Sequence, residues 1–165
     1  MRTMVARACV HSSALYLSGV WSELSSAQTA RIGPAFYRPF RIIVGIHEPG
    51  PQCWSDTSNA AICKELGVPI LEWCIVVSRL RIAAKLSRRP ADFASALHQG
   101  PGGAAWRLAV QNAYAALARL LPDKLASLPD TRASMAEWES CWSLAGAAWS
   151  ALLRLALARA ATDPW

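Results

Sequence analysis

Apolar residues recur along this chain at intervals of three and four, which is the spacing of a buried helix face. The clearest such face lies within 103–121 and consists of Trp106, Val110, Ala113, Leu117, Leu120 and Leu121. A second face lies within 69–88 and consists of Ile70, Trp73, Cys74, Val77, Leu80 and Ala84. Alternating apolar and polar runs, which are typical of half-buried strands, are absent from the sequence. We therefore predict an all-α fold, an irregular bundle of about six to seven helices with no significant sheet.

Glycine and proline residues predict where the first helices end. A helix is predicted over 13–30 and a second over 35–44, because Gly33 and Pro34 interrupt the periodic pattern between them. The residues at 47–57 are rich in proline and glycine and predict a loop.

The middle of the chain carries clear start and stop signals. A short helix is predicted over 59–66, with capping residues at 56–58 before it and Gly67 as the residue that ends it. Pro69 then begins a longer helix to about Arg88, since proline is tolerated in a first turn.

The last third of the chain predicts a short helix over 90–98, the amphipathic helix over 103–121 and a final helix over 134–161. Ser134 and Glu137 form the pattern of a capping box at the start of that final helix. Its apolar face consists of Trp138, Trp142, Ala145, Trp149, Leu152 and Ala156. We interpret this face as core packing.

Charge divides the 165 residues into two regions. The net charge is +6, and nine basic against four acidic residues lie within 31–89, whereas six of each lie within 91–165. We predict a basic helical region over 1–98 and an Ala- and Trp-rich helical hairpin over 103–165. A basic region beside a neutral one indicates contact with a polyanion, or alternatively a solvated helix face.

The five cysteines and three histidines do not form a recognisable metal-binding pattern. No CxxC pair occurs, and the histidines stand far apart at His11, His47 and His98. An odd number of cysteines argues against a secreted disulfide scaffold, so we expect reduced, mostly buried thiols and no metal site.

The sequence lacks the local motifs of common catalytic sites. It contains no adjacent aspartate pair, no phosphate-binding GxxxxGK[ST] or GxGxxG motif and no GxSxG nucleophile. The sequence does not exclude a catalytic cysteine–histidine pair whose two residues come together only in the folded protein. We predict that the chain by itself is not an enzyme, with no catalytic residues and no cofactor.

The most apolar run without a charge, Trp142 to Leu153, is shorter than a membrane-spanning helix requires. We therefore expect no membrane span and an intracellular protein, nuclear or cytoplasmic. Residues 1–22 carry Arg2, Arg7 and several serines without an acid, which leaves a mitochondrial transit peptide as an alternative.

Four short motifs follow one another in an informative order. They are Trp21-Ser-Glu-Leu24, the helix end Phe40-Arg41-Ile42-Ile43-Val44-Gly45-Ile46, the turn Glu65-Leu66-Gly67-Val68-Pro69, and Arg79-Leu80-Arg81. This order resembles the helical region that follows the polymerase palm in reverse transcriptases of non-LTR (LINE-type) retrotransposons. The resemblance covers about half of the chain, from Leu17 to Leu97, and extends more weakly over 103–165.

The resemblance implies a fragment without the catalytic core, because the aromatic-x-Asp-Asp motif of the palm is absent. Ile82-Ala-Ala-Lys85 also replaces the aromatic and polar residues that usually follow Arg-Leu-Arg in the family. The family's region helps to hold template RNA or target DNA, so the implied function is auxiliary binding through phosphate contacts. The candidate nucleic-acid-binding residues are Arg38, Arg41, Arg79, Arg81, Lys85, Arg88 and Arg89.

Two other interpretations fit the same sequence. The chain is a helical protein-interaction module with no nucleic-acid role, in which the Trp-rich helices bind a protein partner or a second copy. Alternatively, it is a translated fragment with no selected function. The high alanine content and low charge are consistent with this interpretation as well.

Overall fold

The fold was analysed in a computed structural model, which describes residues 4–5, 15, 18–47, 57–86, 99–122 and 146–162. These residues are mostly helical and contain no strand, so the predicted all-α class is confirmed for them. Five α-helices occur in these ranges: α1 (Ser26–His47), α2 (Asn59–Glu65), α3 (Leu71–Leu86), α4 (Gly103–Leu120) and α5 (Gly146–Thr162). A single 3-10 turn (Ser18–Val20) precedes them. The described part thus has five helices rather than six to seven.

Helix α1 corrects the first two predicted helices. The chain is non-helical over 21–25, and α1 then continues without a break through Gly33, Pro34 and Pro39. A capping box fixes its start, because the Ser25 amide donates to Gln28 Oε1 (2.8 Å) and the Gln28 amide donates to Ser25 Oγ (3.3 Å).

Burial explains why two prolines do not end α1. The apolar residues that share its buried face are Phe36, Phe40, Ile43 and Val44. A proline inside a helix costs about 3 kcal/mol or more, whereas full burial of one such side chain stabilises by about 1.5–3 kcal/mol. Four such side chains give about 6–12 kcal/mol against about 6 kcal/mol or more for two prolines, so burial is large enough to offset their cost.

The predicted bounds of α2, 59–66, agree with the structure to within one residue, and its start and stop residues are confirmed. Ser58 is the N-cap and its hydroxyl accepts a hydrogen bond from the Ala61 amide at 3.2 Å. Gly67 follows the helix with a φ of 61°, a conformation that favours glycine, and its amide donates to the Lys64 carbonyl. Helix α3 begins two residues after Pro69, and its predicted apolar face is buried throughout.

Helix α4 matches its prediction, since it spans Gly103–Leu120 and buries the expected face except for half-buried Leu120. In α5, Trp149 and Ala156 of the predicted face are buried and Leu152 is half-buried. The capping box at 134–137, the other residues of that face, the predicted helix at 90–98 and most of the loop at 47–57 lie outside the described residues.

The chain forms two compact units. Unit 1 comprises Met1–Tyr16, Leu24–Cys74 and Leu157–Trp165, and unit 2 comprises Leu17–Glu23 and Ile75–Ala156. In unit 1, the Phe36 ring meets Tyr37 and Phe40 edge-on at centroid distances of 4.9 and 5.5 Å. The most deeply buried aliphatic side chains of unit 2 are Val77, Leu80, Val110, Leu117 and Leu153. This division differs from the charge-based regions 1–98 and 103–165, which stay a prediction.

None of the described helices combines the length and the apolar character needed to cross a membrane.

Candidate functional site

The described candidate cations fall into two groups, one in each unit. Arg38 and Arg41 lie on α1 in unit 1, and Arg79, Arg81 and Lys85 lie on α3 in unit 2. The remaining two candidates, at positions 88 and 89, lie outside the described residues.

Arg81 and Lys85 are both exposed and stand four residues apart, so they are neighbours on one face of α3. Within the described part of the chain, neither side chain has a hydrogen bond or an ion pair. Their charged groups are therefore available to an external anion.

Arg79 is different, because its side chain is buried and only 6 % of the residue is exposed. Its Nε donates to the Trp21 carbonyl at 3.1 Å, and its Nη2 donates to the Ser22 carbonyl. Glu23 lies 3.9 Å from its Nη1. Burial lowers the pKa of the Arg79 guanidinium, and the Glu23 carboxylate opposes that effect. These internal partners occupy the guanidinium, so we leave Arg79 out of the proposed contact surface.

The sequence contained a signal for this burial. Ile75 and Ala83, the neighbours of Arg79 at a distance of four residues, are both apolar and both buried. The buried face of α3 is thus wider than the single row that the pattern indicated, and Arg79 lies within it.

Further contacts fasten residues 18–23 within unit 2. The Trp106 indole donates to the Gly19 carbonyl at 2.9 Å, and the Asn112 amide donates to Glu23 Oε1 at 3.1 Å. A Cβ at Gly19 would lie 2.5 Å from the Ser78 carbonyl oxygen, so only glycine allows this close approach. Residues 18–23, which we call the strap, are thereby held against both α3 and α4.

Unit 1 contains a groove of about 960 Å³ along one face of α1. The α1 residues that line it recur every three or four positions from Ser26 to Arg41, and the remaining walls include Asn59, Ile70 and Glu72. This groove could not be predicted from the sequence, because Gly33 and Pro34 indicated a break in the helix that forms its longest wall.

Both arginines of unit 1 line this groove. Arg38 is exposed and has no hydrogen bond or ion pair among the described residues. Arg41 is half-buried, and its Nη2 donates to the Thr57 carbonyl at 2.9 Å and to Asn59 Oδ1 at 2.7 Å. Arg38 and Arg41 are thus one helical turn apart in α1; hydrogen bonds hold the Arg41 guanidinium, whereas Arg38 is exposed.

A buried phenol and a thiol lie near the groove. The Tyr37 hydroxyl accepts from the Leu71 amide at 3.0 Å and donates to Glu72 Oε2 at 3.4 Å. Burial raises the pKa of Tyr37 above its ordinary value, an effect that the Leu71 hydrogen bond partly offsets. Burial, with Glu72 adding to it, raises the pKa of Cys63 to about 12, against a smaller opposite effect of Arg41. Both groups therefore stay protonated at neutral pH, and Cys63 is not an activated nucleophile.

Within the described ranges, no group of three or more His, Cys, Asp or Glu side chains is arranged to hold a metal ion. Comparison of the chain with protein-family models, curated proteins and solved structures found no match. The resemblance to retrotransposon reverse transcriptases thus rests on the four ordered motifs alone and stays a prediction.

Proposed function

We propose that this chain is a non-catalytic helical part of a retrotransposon reverse transcriptase, with auxiliary binding of template RNA or target DNA through phosphate contacts. The observation that supports this proposal most directly is the pair Arg81 and Lys85, which is exposed and without a protein partner in the described part. In the sequence, Arg88 and Arg89 continue the run of positive charge just after α3.

The distribution of charge favours an anionic partner. Over its full length the chain carries 17 basic and 11 acidic residues, a net charge of +6. The exposed cations of the described ranges are Arg31, Arg38, Lys64, Arg81, Lys85, Arg119, Arg154 and Arg159. Such an excess attracts a phosphate backbone over a distance of about 10 Å at moderate salt.

The chemistry of these residues favours contact with the backbone rather than with bases. A guanidinium presents a planar fork of donors that matches two phosphate oxygens, and a lysine supplies a compact point charge. Each phosphate neutralised on a single strand contributes about 0.7 to the slope of log affinity against log salt concentration.

The test compares salt titrations of RNA and DNA binding by the unmodified chain and by the double variant Arg81→Ala/Lys85→Ala. We expect the slope to flatten by about 1.4, because two phosphate contacts are lost on a single strand. The matched control is Arg31→Ala/Lys64→Ala, which removes the same charges from exposed positions of unit 1.

Equal slopes for the two double variants would refute a contact at α3, because overall charge alone would then account for binding. A second candidate function is a protein-interaction module, which is supported by the Ala- and Trp-rich, low-charge composition of residues 103–165. Gel filtration with added RNA separates the two, since oligomers that are indifferent to RNA and salt support the second.

A further inference from the structure

The groove along α1 has the volume of a small-molecule site and no role in the proposal for α3. Its volume of about 960 Å³ lies near the upper end of the range of about 300–1,000 Å³ found for ligand pockets. Along α1, the lining extends from Ser26 to Arg41, which corresponds to roughly 22 Å at a rise of 1.5 Å per residue. The groove is therefore long enough for an elongated molecule.

Gly33 lies in the wall of the groove and is itself buried. Its φ lies outside the left-handed region, and among the described residues a Cβ at this position would meet only the Tyr37 ring, at 3.8 Å. Glycine inside a helix is destabilising by about 1 kcal/mol relative to alanine, and neither the backbone conformation nor a close neighbour among the described residues requires it here.

The cations of the lining lie toward one end of α1. Toward its start, the lining combines the apolar Leu24, Ala30 and Pro34 with the polar Ser26 and Thr29. Near the other end of α1, the Arg38 guanidinium is exposed, and the Arg41 guanidinium is held by its hydrogen bonds to Thr57 and Asn59. The exposed Arg38 is therefore the direct contact for an anion, and Arg41, which its internal hydrogen bonds hold in place, adds positive charge nearby.

The charge of the lining limits the kind of anion. Among the described residues of the lining, two arginines occur with one carboxylate, Glu72, which accepts a hydrogen bond from Tyr37. This balance suits a ligand with one anionic head better than a polyphosphate, because Glu72 repels additional negative charge.

From this juxtaposition we infer that the groove binds a small amphipathic anion, a carboxylate or phosphate head joined to an apolar body. The head contacts Arg38 near Arg41, and the body lies along Gly33 and Pro34 toward Ala30. This inference does not rest on the nucleic-acid proposal, because the groove, its apolar walls and the exposed Arg38 carry it.

The probes are decanoate and decyl phosphate, titrated into the full chain by calorimetry, with decanol as the uncharged analogue. We expect saturable binding of at least one anion, at least tenfold tighter than that of decanol, since hydrogen bonds to charged groups are the stronger class. The tighter of the two anions identifies the head group. Binding of decanol as tight as that of both anions would overturn the inference.

Three variants locate the site. Gly33→Leu fills the groove without changing charge and is expected to abolish binding, whereas Gly33→Ala adds one methyl group and is expected to retain it. Arg38→Ala is expected to weaken binding about tenfold, and Arg31→Ala, an exposed arginine of α1 outside the groove, is expected to leave it unchanged.

Far-UV circular dichroism of each variant verifies that the helices are retained. Anion binding that persists in Gly33→Leu, or that falls equally in Arg31→Ala and Arg38→Ala, would overturn the inference. Because Gly33→Leu leaves Arg81 and Lys85 unchanged, its salt titration with RNA tests the nucleic-acid proposal independently.

Discussion

Removal of the Arg79 side chain tests how the strap is held. Arg79 is a buried cation on α3 that donates to two consecutive carbonyls of the strap, those of Trp21 and Ser22. In the variant Arg79→Ala, both carbonyls lose a charged donor, and the space of the guanidinium is left unfilled. We expect the free energy of unfolding to fall and the strap to separate from α3.

The magnitude follows from the hydrogen bonds. A hydrogen bond to a charged group contributes about 1.5–3 kcal/mol, so two of them give an upper range of about 3–6 kcal/mol. The acceptors are partly exposed, since Trp21 is half-buried and Ser22 is exposed, so water replaces part of the loss. We therefore expect a destabilisation of about 2–4 kcal/mol. Glu23 adds little, because its carboxylate is exposed and 3.9 Å away.

The assay is urea-induced unfolding followed by circular dichroism, with Arg81→Ala as the matched control. Arg81 lies two positions further along the same helix and is exposed, so its replacement should change stability by no more than about 0.5 kcal/mol. Arg79→Lys should recover only part of the loss, because an ammonium group cannot reproduce the fork of donors. If Arg79→Ala is no more destabilising than Arg81→Ala, the guanidinium does not hold the strap and the reasoning fails.

Two further predictions concern close packing and alkaline pH. The variant Gly19→Ala should lower the free energy of unfolding by about 1–3 kcal/mol, because its Cβ would lie 2.5 Å from the Ser78 carbonyl oxygen. The variant Gly33→Ala should raise it by up to about 1 kcal/mol. A thermal unfolding experiment in which Gly19→Ala is the more stable variant would contradict this. Burial raises the pKa of the Cys63 thiol from 9.0 to about 12, so its stabilising effect is complete below pH 9 and is lost as the pH rises toward 12. The phenol of Tyr37, whose pKa is also raised, adds to the loss above pH 10. Urea titrations between pH 9 and 12 should show that the free energy of unfolding falls less steeply with pH in Cys63→Ala than in the unmodified chain. If it falls equally steeply in both, the thiol is not the cause.

The sequence predicted those parts of the fold in which local signals and burial agree. Ser58 and Gly67 flank α2 as expected, and the apolar spacing within α4 matches the buried face. Each of these signals acts within one helical turn, so no knowledge of distant residues was needed.

The prediction for α1 was wrong because two principles compete there. Pro34 and Pro39 oppose a helix locally, whereas the spacing of Phe36 and Phe40 favours one that buries both rings. The outcome depends on what packs against these rings, which no local pattern contains. The Ser25–Gln28 capping box was, by contrast, readable from the sequence and marks the start of α1.

The candidate cations show the same limit more sharply. Arg79, Arg81 and Lys85 are alike in type and near one another in sequence, yet one is buried and two are exposed. Helical spacing separates them, because the neighbours of Arg79 at four residues are Ile75 and Ala83. The groove along α1 had no such signal, since its walls come from three helices.

The contact between Arg79 and the strap also changes the weight of the family resemblance. Two of the four ordered motifs, Trp21-Ser-Glu-Leu24 and Arg79-Leu80-Arg81, meet in this structure, because Arg79 donates to the carbonyls of residues 21 and 22. The two motifs therefore occur together for a structural reason, because Arg79 fastens the strap to α3. This reason does not require a nucleic-acid function. As support for the resemblance, the two motifs count as one observation rather than two. Arg81 is the part of the second motif that this contact does not explain, so the comparison of Arg81→Ala/Lys85→Ala with its charge-matched control bears on function directly.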